Sequence, residues 1–133
     1  MEAYADPLKY YEPDPANTTN VPEAIEKVKA NNKDLKDLNL NNIKDIKEEQ
    51  FVEIFDALKN NDNLVKFSAV NCEVNDFSVA TLNCALEQNQ QLKSLNLESN
   101  LISPDTLAAI FEAIKESSII DIHLSGQAQS SLG

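Results

Sequence analysis

A nine-residue apolar pattern recurs four times along this chain and constrains its fold more than any other feature. The copies begin at positions 35, 64, 92 and 119, so successive starts lie 29, 28 and 27 residues apart. Each copy places apolar side chains at its first, fourth and sixth positions. Chance rarely gives four copies in register, so the pattern predicts stacked repeats that share one core. The copies are LKDLNLNNI, LVKFSAVNC, LKSLNLESN and IIDIHLSGQ.

The segments between the copies repeat as well, with the spacing of a helix. Their apolar residues recur at i, i+3, i+4 and i+7, which places them on one helix face. The exception is Asn83, which we expect either at the edge of its stripe or beside a buried partner. The three stripes are Phe51, Ile54, Phe55 and Leu58; Val79, Leu82, Asn83 and Leu86; and Leu107, Ile110, Phe111 and Ile114.

Capping signals agree with this register. Ser103 precedes Pro104, a combination that favours the start of a helix. Before the first copy, Asn20 with Glu23 three residues later is typical of a helix N-terminus, and we predict a helix over residues 21–30. This helix is expected to cover the first repeat.

These patterns match the leucine-rich repeat signature L-x-x-L-x-L-x-x-N/C. They predict an α/β right-handed solenoid of about four leucine-rich repeat units, with parallel strands, outer helices and an N-terminal helical cap. Residues 1–20 are predicted to form an extended arm and residues 21–133 the repeat domain. At the ninth position, Asn100 and Cys72 are expected to close the turn and satisfy backbone groups, which makes Cys72 structural rather than reactive.

The last predicted strand is followed by SGQAQSSLG, which offers no amphipathic helix to cover it. Terminal repeats normally need a cap. Two explanations are open. Either the domain is C-terminally incomplete, or the exposed edge strand pairs with another molecule.

Charge and composition exclude several classes of function. With 11 Lys+Arg against 22 Asp+Glu, the net charge of −11 repels phosphate backbones and anionic lipids, so neither nucleic acid nor a membrane is an expected partner. No apolar run approaches the roughly 20 residues of a membrane span, and the N-terminus resembles no signal peptide, so a cytoplasmic protein is expected. Two cysteines without Cys-x-x-Cys spacing indicate reduced thiols. Cys72, Cys84 and His123 lie far apart in the sequence, and only two glycines are present, so no metal, cofactor or phosphate loop is expected.

Alternation along the last strand places Asp121, His123 and Ser125 on one face, as in a hydrolytic triad. Residues two apart on a strand lie about 7 Å from each other. Proton transfer requires heavy atoms about 2.6–3.2 Å apart. We therefore expect these residues not to form a catalytic group.

Three segments resemble successive repeats in the C-terminal domain of the tropomodulins and the related leiomodins. The run LESNLIS is the most specific, because a generic leucine-rich repeat does not require Glu98, Ser99 or Ser103. The opening VPEAIEKVKANNKDLKDLNLNNI is similar to the entry into that domain, and the resemblance covers roughly residues 8–133. The segments are LKDLNLNNI, LKSLNLESNLIS and SIIDIHLSGQAQSSLG.

The resemblance implies a non-catalytic, actin-binding protein of the cytoplasmic cytoskeleton. Tropomodulins cap the pointed end of actin filaments: their N-terminal half binds tropomyosin and one actin site, and their leucine-rich domain supplies a second actin site. This chain lacks a counterpart of that half, so tropomyosin is expected as a partner only through regions missing here. The alternative is a leucine-rich-repeat scaffold that binds a different cytosolic protein.

Two surfaces are candidates for contacting such a partner. The outward side chains of the strands form a sheet face whose middle row is uncharged when the histidine is neutral, so an acidic partner such as actin meets less repulsion there. The edge formed by the turns after the strands is also mostly neutral. The alternative reading is that these polar residues only solvate the sheet. The candidate residues are Asp37, Asn39, Lys66, Ser68, Asn96, Glu98 and His123 on the sheet face, and Asn41, Asn42, Ser99 and Asn100 on the turn edge.

Overall fold

Each repeated motif contributes one three-residue strand to a sheet. The computed structural model describes residues 16–128, in which four parallel strands lie in chain order across the sheet. Parallel neighbours require a crossover, and a helix supplies it after each of the first three strands. The strands are β1 (Asp37–Asn39), β2 (Lys66–Ser68), β3 (Ser94–Asn96) and β4 (Asp121–His123), and the helices are α1 (Val21–Lys29), α2 (Glu48–Ala57), α3 (Asp76–Leu86) and α4 (Pro104–Lys115).

Equivalent apolar residues line up behind one another across the sheet. Leu38 pairs with Phe67, Phe67 with Leu95, and Leu95 with Ile122. The first three are buried and Ile122 is half-buried. The repeat spacing therefore predicted the register correctly, and the predicted α/β fold with parallel strands is confirmed.

The helices cover the apolar side of the sheet as their spacing predicted. In α2 and α3 the stripe is buried except at Asn83. Phe55 stands at its centre, with its ring edge-on to Phe67 at a centroid distance of 5.5 Å and stacked on Phe51 at 5.9 Å. Aromatic pairs of this geometry add to the stabilisation from burial.

The stripe of α4 departs from the prediction. Phe111 was expected to face inward, but it is 51% exposed. Ala109 and Ala113 line the groove against α3. Because successive helix residues are rotated by about 100°, Phe111 lies on the opposite side of α4 from Ala109. Nothing within residues 16–128 packs over that side, so the expectation for Phe111 is wrong.

Two adjacent residues of α3, Asn83 and Cys84, differ in how far they are buried. Asn83 is half-buried at the edge of the stripe, and its Oδ1 is buried without a hydrogen-bond partner among residues 16–128. The first alternative for this residue is thus the correct one. The neighbouring Cys84 is exposed.

The N-terminal end is covered by α1, close to the predicted boundaries. The Asn20 side chain accepts a hydrogen bond from the Glu23 N–H at 2.9 Å, and Ile25 and Val28 are buried. Of the predicted arm, residues 1–15 lie outside the described residues. Asn17, in the remainder, donates through Nδ2 to the carbonyl of Asn39 at 3.1 Å, so side-chain bonds occupy the outer edge of β1.

Asn100, at the ninth position of its repeat, is fully buried and joins adjacent coils. Its Oδ1 accepts from the N–H groups of Cys72 at 2.8 Å and Val74 at 3.0 Å. Its Nδ2 donates to the carbonyls of Ala69 and Leu97, both at 2.8 Å. The predicted turn-closing role of this amide is confirmed.

Other residue types occupy the ninth position in neighbouring repeats and act in the same way. The Cys72 thiol donates to the Leu40 carbonyl at 2.9 Å, and burial raises the pKa of this thiol. In the last repeat, Gln127 donates through Nε2 to the carbonyls of Leu97 at 2.8 Å and Leu124 at 2.9 Å. Cys72 is therefore structural, as predicted, whereas the role of Gln127 was not predicted.

A second row of buried amides lies where each helix returns to the next strand. Asn89 donates to the carbonyls of Leu58 at 2.7 Å and Asn61 at 2.9 Å, and its Oδ1 accepts from the Leu92 N–H at 2.8 Å. One repeat earlier, Asn61 donates to the Val28 carbonyl at 3.0 Å. Coils are thus joined through side chains at both ends of the inner strands β2 and β3.

The eighth position of every repeat adopts left-handed backbone. The φ angles are 66° at Asn42, 58° at Asn71, 60° at Ser99 and 75° at Gly126. In the first three repeats, the N–H of this residue donates to the carbonyl at the seventh position of the next repeat. Asn42, for example, donates to Val70 at 2.8 Å. Asparagine and glycine tolerate it more readily than serine.

Replacing Asn100 with alanine is expected to lower the free energy of unfolding by about 2–4 kcal/mol, because three buried backbone groups lose the amide as their partner. The Leu97 carbonyl keeps its bond from Gln127. Urea unfolding followed by far-UV circular dichroism measures the change. Asn60→Ala, at an exposed position, is the control and should change stability by less than about 0.5 kcal/mol. Equal effects of the two substitutions would contradict the role assigned to the buried amide.

Candidate protein-interaction surfaces

The outward side chains of the strands form three rows across the sheet face. The middle row carries no charge when its histidine is neutral, as predicted. One flanking row carries charges of both signs, and the other carries a single negative charge at Glu98. Because the strands pair in register, members of a row lie on adjacent strands whose backbones are about 4.8 Å apart across the sheet. The rows are Asp37, Lys66, Ser94 and Asp121; Asn39, Ser68, Asn96 and His123; and Asn41, Val70, Glu98 and Ser125.

Side-chain hydrogen bonds between neighbouring strands fix part of this face. Ser94 Oγ donates to Asp121 Oδ2 at 2.8 Å, and Ser125 Oγ donates to Glu98 Oε2 at 2.7 Å. Such bonds hold side chains in one geometry before a partner arrives, which lowers the entropy lost on binding.

The expected separation of Asp121 and His123 is wrong. Their side chains bend toward each other along the strand, and Asp121 Oδ1 lies 3.0 Å from His123 Nε2. The argument from distance against a catalytic group is therefore lost, and the contacts of the two serines replace it. Ser125 bonds to Glu98 rather than to the imidazole, and Ser94 bonds to the carboxylate. Neither serine therefore has the histidine as its base.

The hydrogen bond from Ser94 is the main cause that holds the pKa of Asp121 below its ordinary value, and His123 lowers it further. A depressed carboxyl pKa stabilises the fold above the unfolded value, which is about 3.9 for aspartate. The contribution is lost as the pH falls through the folded value. At neutral pH Asp121 is thus a fixed negative charge on the outermost strand.

The turn edge carries two exposed apolar residues that the sequence reading missed. Phe77, in the first turn of α3, is 67% exposed, and Leu101 is 46% exposed. Leu101 donates its N–H to the Val74 carbonyl at 2.9 Å, which places it beside the start of α3. In the neighbouring repeats, Glu73 and Asp105 hold the equivalent positions. The sequence does distinguish Phe77 and Leu101, because each is apolar at a position that is charged in another repeat.

The structure divides the predicted contact residues by exposure. Asn100 is fully buried with its amide used inside the fold, and Ser68 is buried with its hydroxyl bonded to Asn41. These two are not available to a partner in this conformation. Exposed are Asp37, Asn39, Asn42, Lys66, Ser99 and His123, and half-buried are Asn41, Asn96 and Glu98.

The described residues also bear on metal binding and on membrane insertion. Within residues 16–128, no group of three or more histidine, cysteine or acidic side chains is arranged to hold a metal ion. In the same segment, every helix is too short or too polar to cross a bilayer.

Stacked strand and helix units with a rigid polar sheet face define a leucine-rich-repeat domain of the kind that binds other proteins. A family model described as TMOD/LMOD Leucine-rich domain matches residues 17–132. The chain therefore belongs to the tropomodulin and leiomodin family, as its resemblance predicted.

Similar proteins span much more sequence than this chain. Tropomodulin-4 of Bos taurus is 34% identical over 125 residues, which cover 93% of this chain and 36% of that protein. Tropomodulin of Caenorhabditis elegans is 31% identical over 134 residues, which cover 100% of this chain and 34% of that protein. The chain thus spans about a third of the length of these relatives.

Two solved structures share the fold. The C-terminal domain of Caenorhabditis elegans tropomodulin superposes with a TM-score of 0.79 at 31% identity, covering 86% of this chain and 70% of that chain. Actin-binding site 2 of leiomodin-1 superposes with a TM-score of 0.78 at 28% identity, covering 84% of this chain and 65% of that chain.

Replacing Ser94 with alanine is expected to raise the pKa of Asp121 toward its ordinary value, because the largest stabilising contact of the carboxylate is removed. An NMR titration that follows the side-chain carboxyl carbon measures the change. Ser125→Ala, which removes a bond to Glu98 instead, should leave the pKa of Asp121 unchanged. An unchanged value in the Ser94 variant would show that another contact controls the group.

Proposed function

We propose that this chain is an actin-binding module of a tropomodulin-like pointed-end capping protein, and that it acts by contact rather than by catalysis. Membership of the tropomodulin and leiomodin family supports the proposal, as does the similarity to actin-binding site 2 of leiomodin-1. A cytoplasmic location on the actin cytoskeleton is part of the same proposal. Tropomyosin binding is assigned to regions outside this chain.

The observation that carries the site assignment is the exposure of Phe77 and Leu101 on the turn edge. Large apolar side chains at the centre of an interface commonly supply most of the binding energy. Burying one such side chain contributes about 1.5–3 kcal/mol relative to leaving it in water. We therefore place the primary actin contact on the turn edge, with the sheet face as a flanking surface.

The charges around this pair define the complementary surface. Glu73, Asp76 and Asp105 lie on the same edge and are all exposed. Like charges brought together across an interface cost several kcal/mol. The matching region of actin is therefore expected to offer an apolar pocket with a neutral or basic rim.

The double substitution Phe77→Ser and Leu101→Ser is expected to weaken actin binding by at least about tenfold, because both apolar anchors are lost. The readout is the concentration of chain that slows pointed-end growth of pyrene-actin from gelsolin-capped seeds. Phe111→Ser is the matched control, since it removes an exposed aromatic ring from another surface, and it should behave like the unmodified chain.

Two outcomes contradict the proposal at different levels. Unaffected filament growth at high molar excess, together with no binding to monomeric actin, would exclude actin as the partner and favour another cytosolic protein. In the second outcome, Asn39→Ala and His123→Ala weaken binding while the turn-edge variant does not. That result would move the contact to the sheet face.

A further inference from the structure

The groove between α3 and α4 is open at a position that is filled in the preceding repeat. Phe55, Asn83 and Phe111 are equivalent residues of α2, α3 and α4. Phe55 is fully buried, whereas the smaller amide of Asn83 leaves a groove of about 550 Å³, which Ala109 and Ala113 also line. Phe111 lies on the opposite side of α4 from Ala109, so the groove does not depend on what packs over that side.

The groove contains an acceptor that the fold leaves without a donor. Asn83 lines it, and the Oδ1 atom of this residue is buried with no hydrogen-bond partner among residues 16–128. A buried carbonyl oxygen without a donor lowers stability, and the phenylalanine of the preceding repeat avoids that penalty. A residue that breaks such a rule without local compensation is expected at a functional site. The amide is therefore better explained by a donor that enters the groove than by the packing of α3.

Acidic side chains surround the same groove. Glu87, Glu112 and Glu116 line it, and all are exposed. Glu87 is the C-cap of α3 and Glu116 is the C-cap of α4. The C-terminus of a helix carries partial negative charge, so a carboxylate there is unfavourable unless a cation is near. Lys115 Nζ lies 3.1 Å from Glu112 Oε2, but this exposed pair offsets little of the charge.

We propose that this groove binds an arginine side chain of a protein partner. The aliphatic stem of arginine can pack on Ala109 and Ala113 while its charged end stays near the rim. Its planar guanidinium carries several N–H donors, enough for Asn83 Oδ1 and a carboxylate together. The ammonium of lysine is more strongly hydrated and matches carboxylate geometry less well. The groove lies along the C-terminal halves of the helices, away from the turn edge, so this contact is independent of the proposed actin site.

An NMR titration of the complete chain with the capped tripeptide Gly-Arg-Gly tests the proposal. The side-chain amide of Asn83 and the backbone amides of Ala109 and Ala113 should shift saturably. The dissociation constant should lie in the millimolar range, because a single side chain makes few contacts. Capped Gly-citrulline-Gly keeps the shape without the charge, and capped Gly-Lys-Gly keeps the charge without the planar fork. Each should bind at least about fivefold more weakly.

A charge-matched pair of variants separates the groove from the acidity of the whole chain. Glu112→Gln with Glu116→Gln should weaken binding of the arginine peptide by at least about threefold. Glu23→Gln with Glu26→Gln removes the same charge from exposed positions of α1 and should leave binding unchanged. Equal weakening by the two variants, or shifts spread evenly over the acidic surface, would overturn the proposal. Equal binding of the lysine peptide would overturn the assignment to arginine.

Asn83→Leu tests the role of the unpartnered amide. Leucine occupies the groove and removes the acceptor, so the localised shifts should disappear. The thermal unfolding midpoint should rise, because a buried oxygen without a donor is lost. A lower midpoint would show that the amide already stabilises the free protein and would overturn its assignment to a partner. Unchanged binding of the arginine peptide would also overturn the proposal.

Discussion

Hydrogen bonds from buried amides to the backbone of the neighbouring coil are the interaction on which this fold depends. Each strand has only three residues, so the sheet alone satisfies few of the backbone groups in a coil of about 28 residues. Asn61, Asn89 and Asn100 satisfy the carbonyl and N–H groups that the turns would otherwise leave buried and unpaired. Loss of one such amide leaves several buried backbone groups without a hydrogen-bond partner at once, and each then costs its desolvation free energy. Substitution at these positions therefore lowers stability far more than substitution of an exposed asparagine.

These bonds also determine what the surface can present. Amides at the ends of the inner strands hold the coils in one register, so equivalent positions form straight rows on the sheet face and along the turn edge. A partner meets side chains that are already ordered, and little entropy is lost when it binds. The sheet face is fixed further by pairs such as Ser94 with Asp121. Interaction therefore depends on which side chain each repeat places at a given position, not on a cleft that closes.

Regular positions were predictable from the sequence, and positions that depend on contacts between repeats were not. The column from Leu38 to Leu95 and the buried stripe of α2 follow from spacing alone, because a shared core demands apolar groups at fixed intervals. Spacing says nothing about what lies beyond a helix, so Phe111 was placed inward although no described neighbour covers it. It also gives no side-chain directions, which is why the contact between Asp121 and His123 was missed. Asn61 and Asn89 precede apolar runs and look like ordinary loop residues until the stacking brings them against a neighbouring coil.

The position of the proposed contact makes it independent of what lies beside either outermost strand. At β1, the Asn17 and Thr19 side chains bond to the Asn39 carbonyl and so occupy part of the edge. At β4, no strand formed by residues 16–128 pairs with the outer side. Actin binding is assigned to the turn edge, which lies at the ends of the strands and is built from the inner repeats that carry Phe77 and Leu101. Because the buried amide of Asn100 fixes the turn that precedes Leu101, the geometry of this contact depends on the stacking of the inner coils rather than on either end of the sheet.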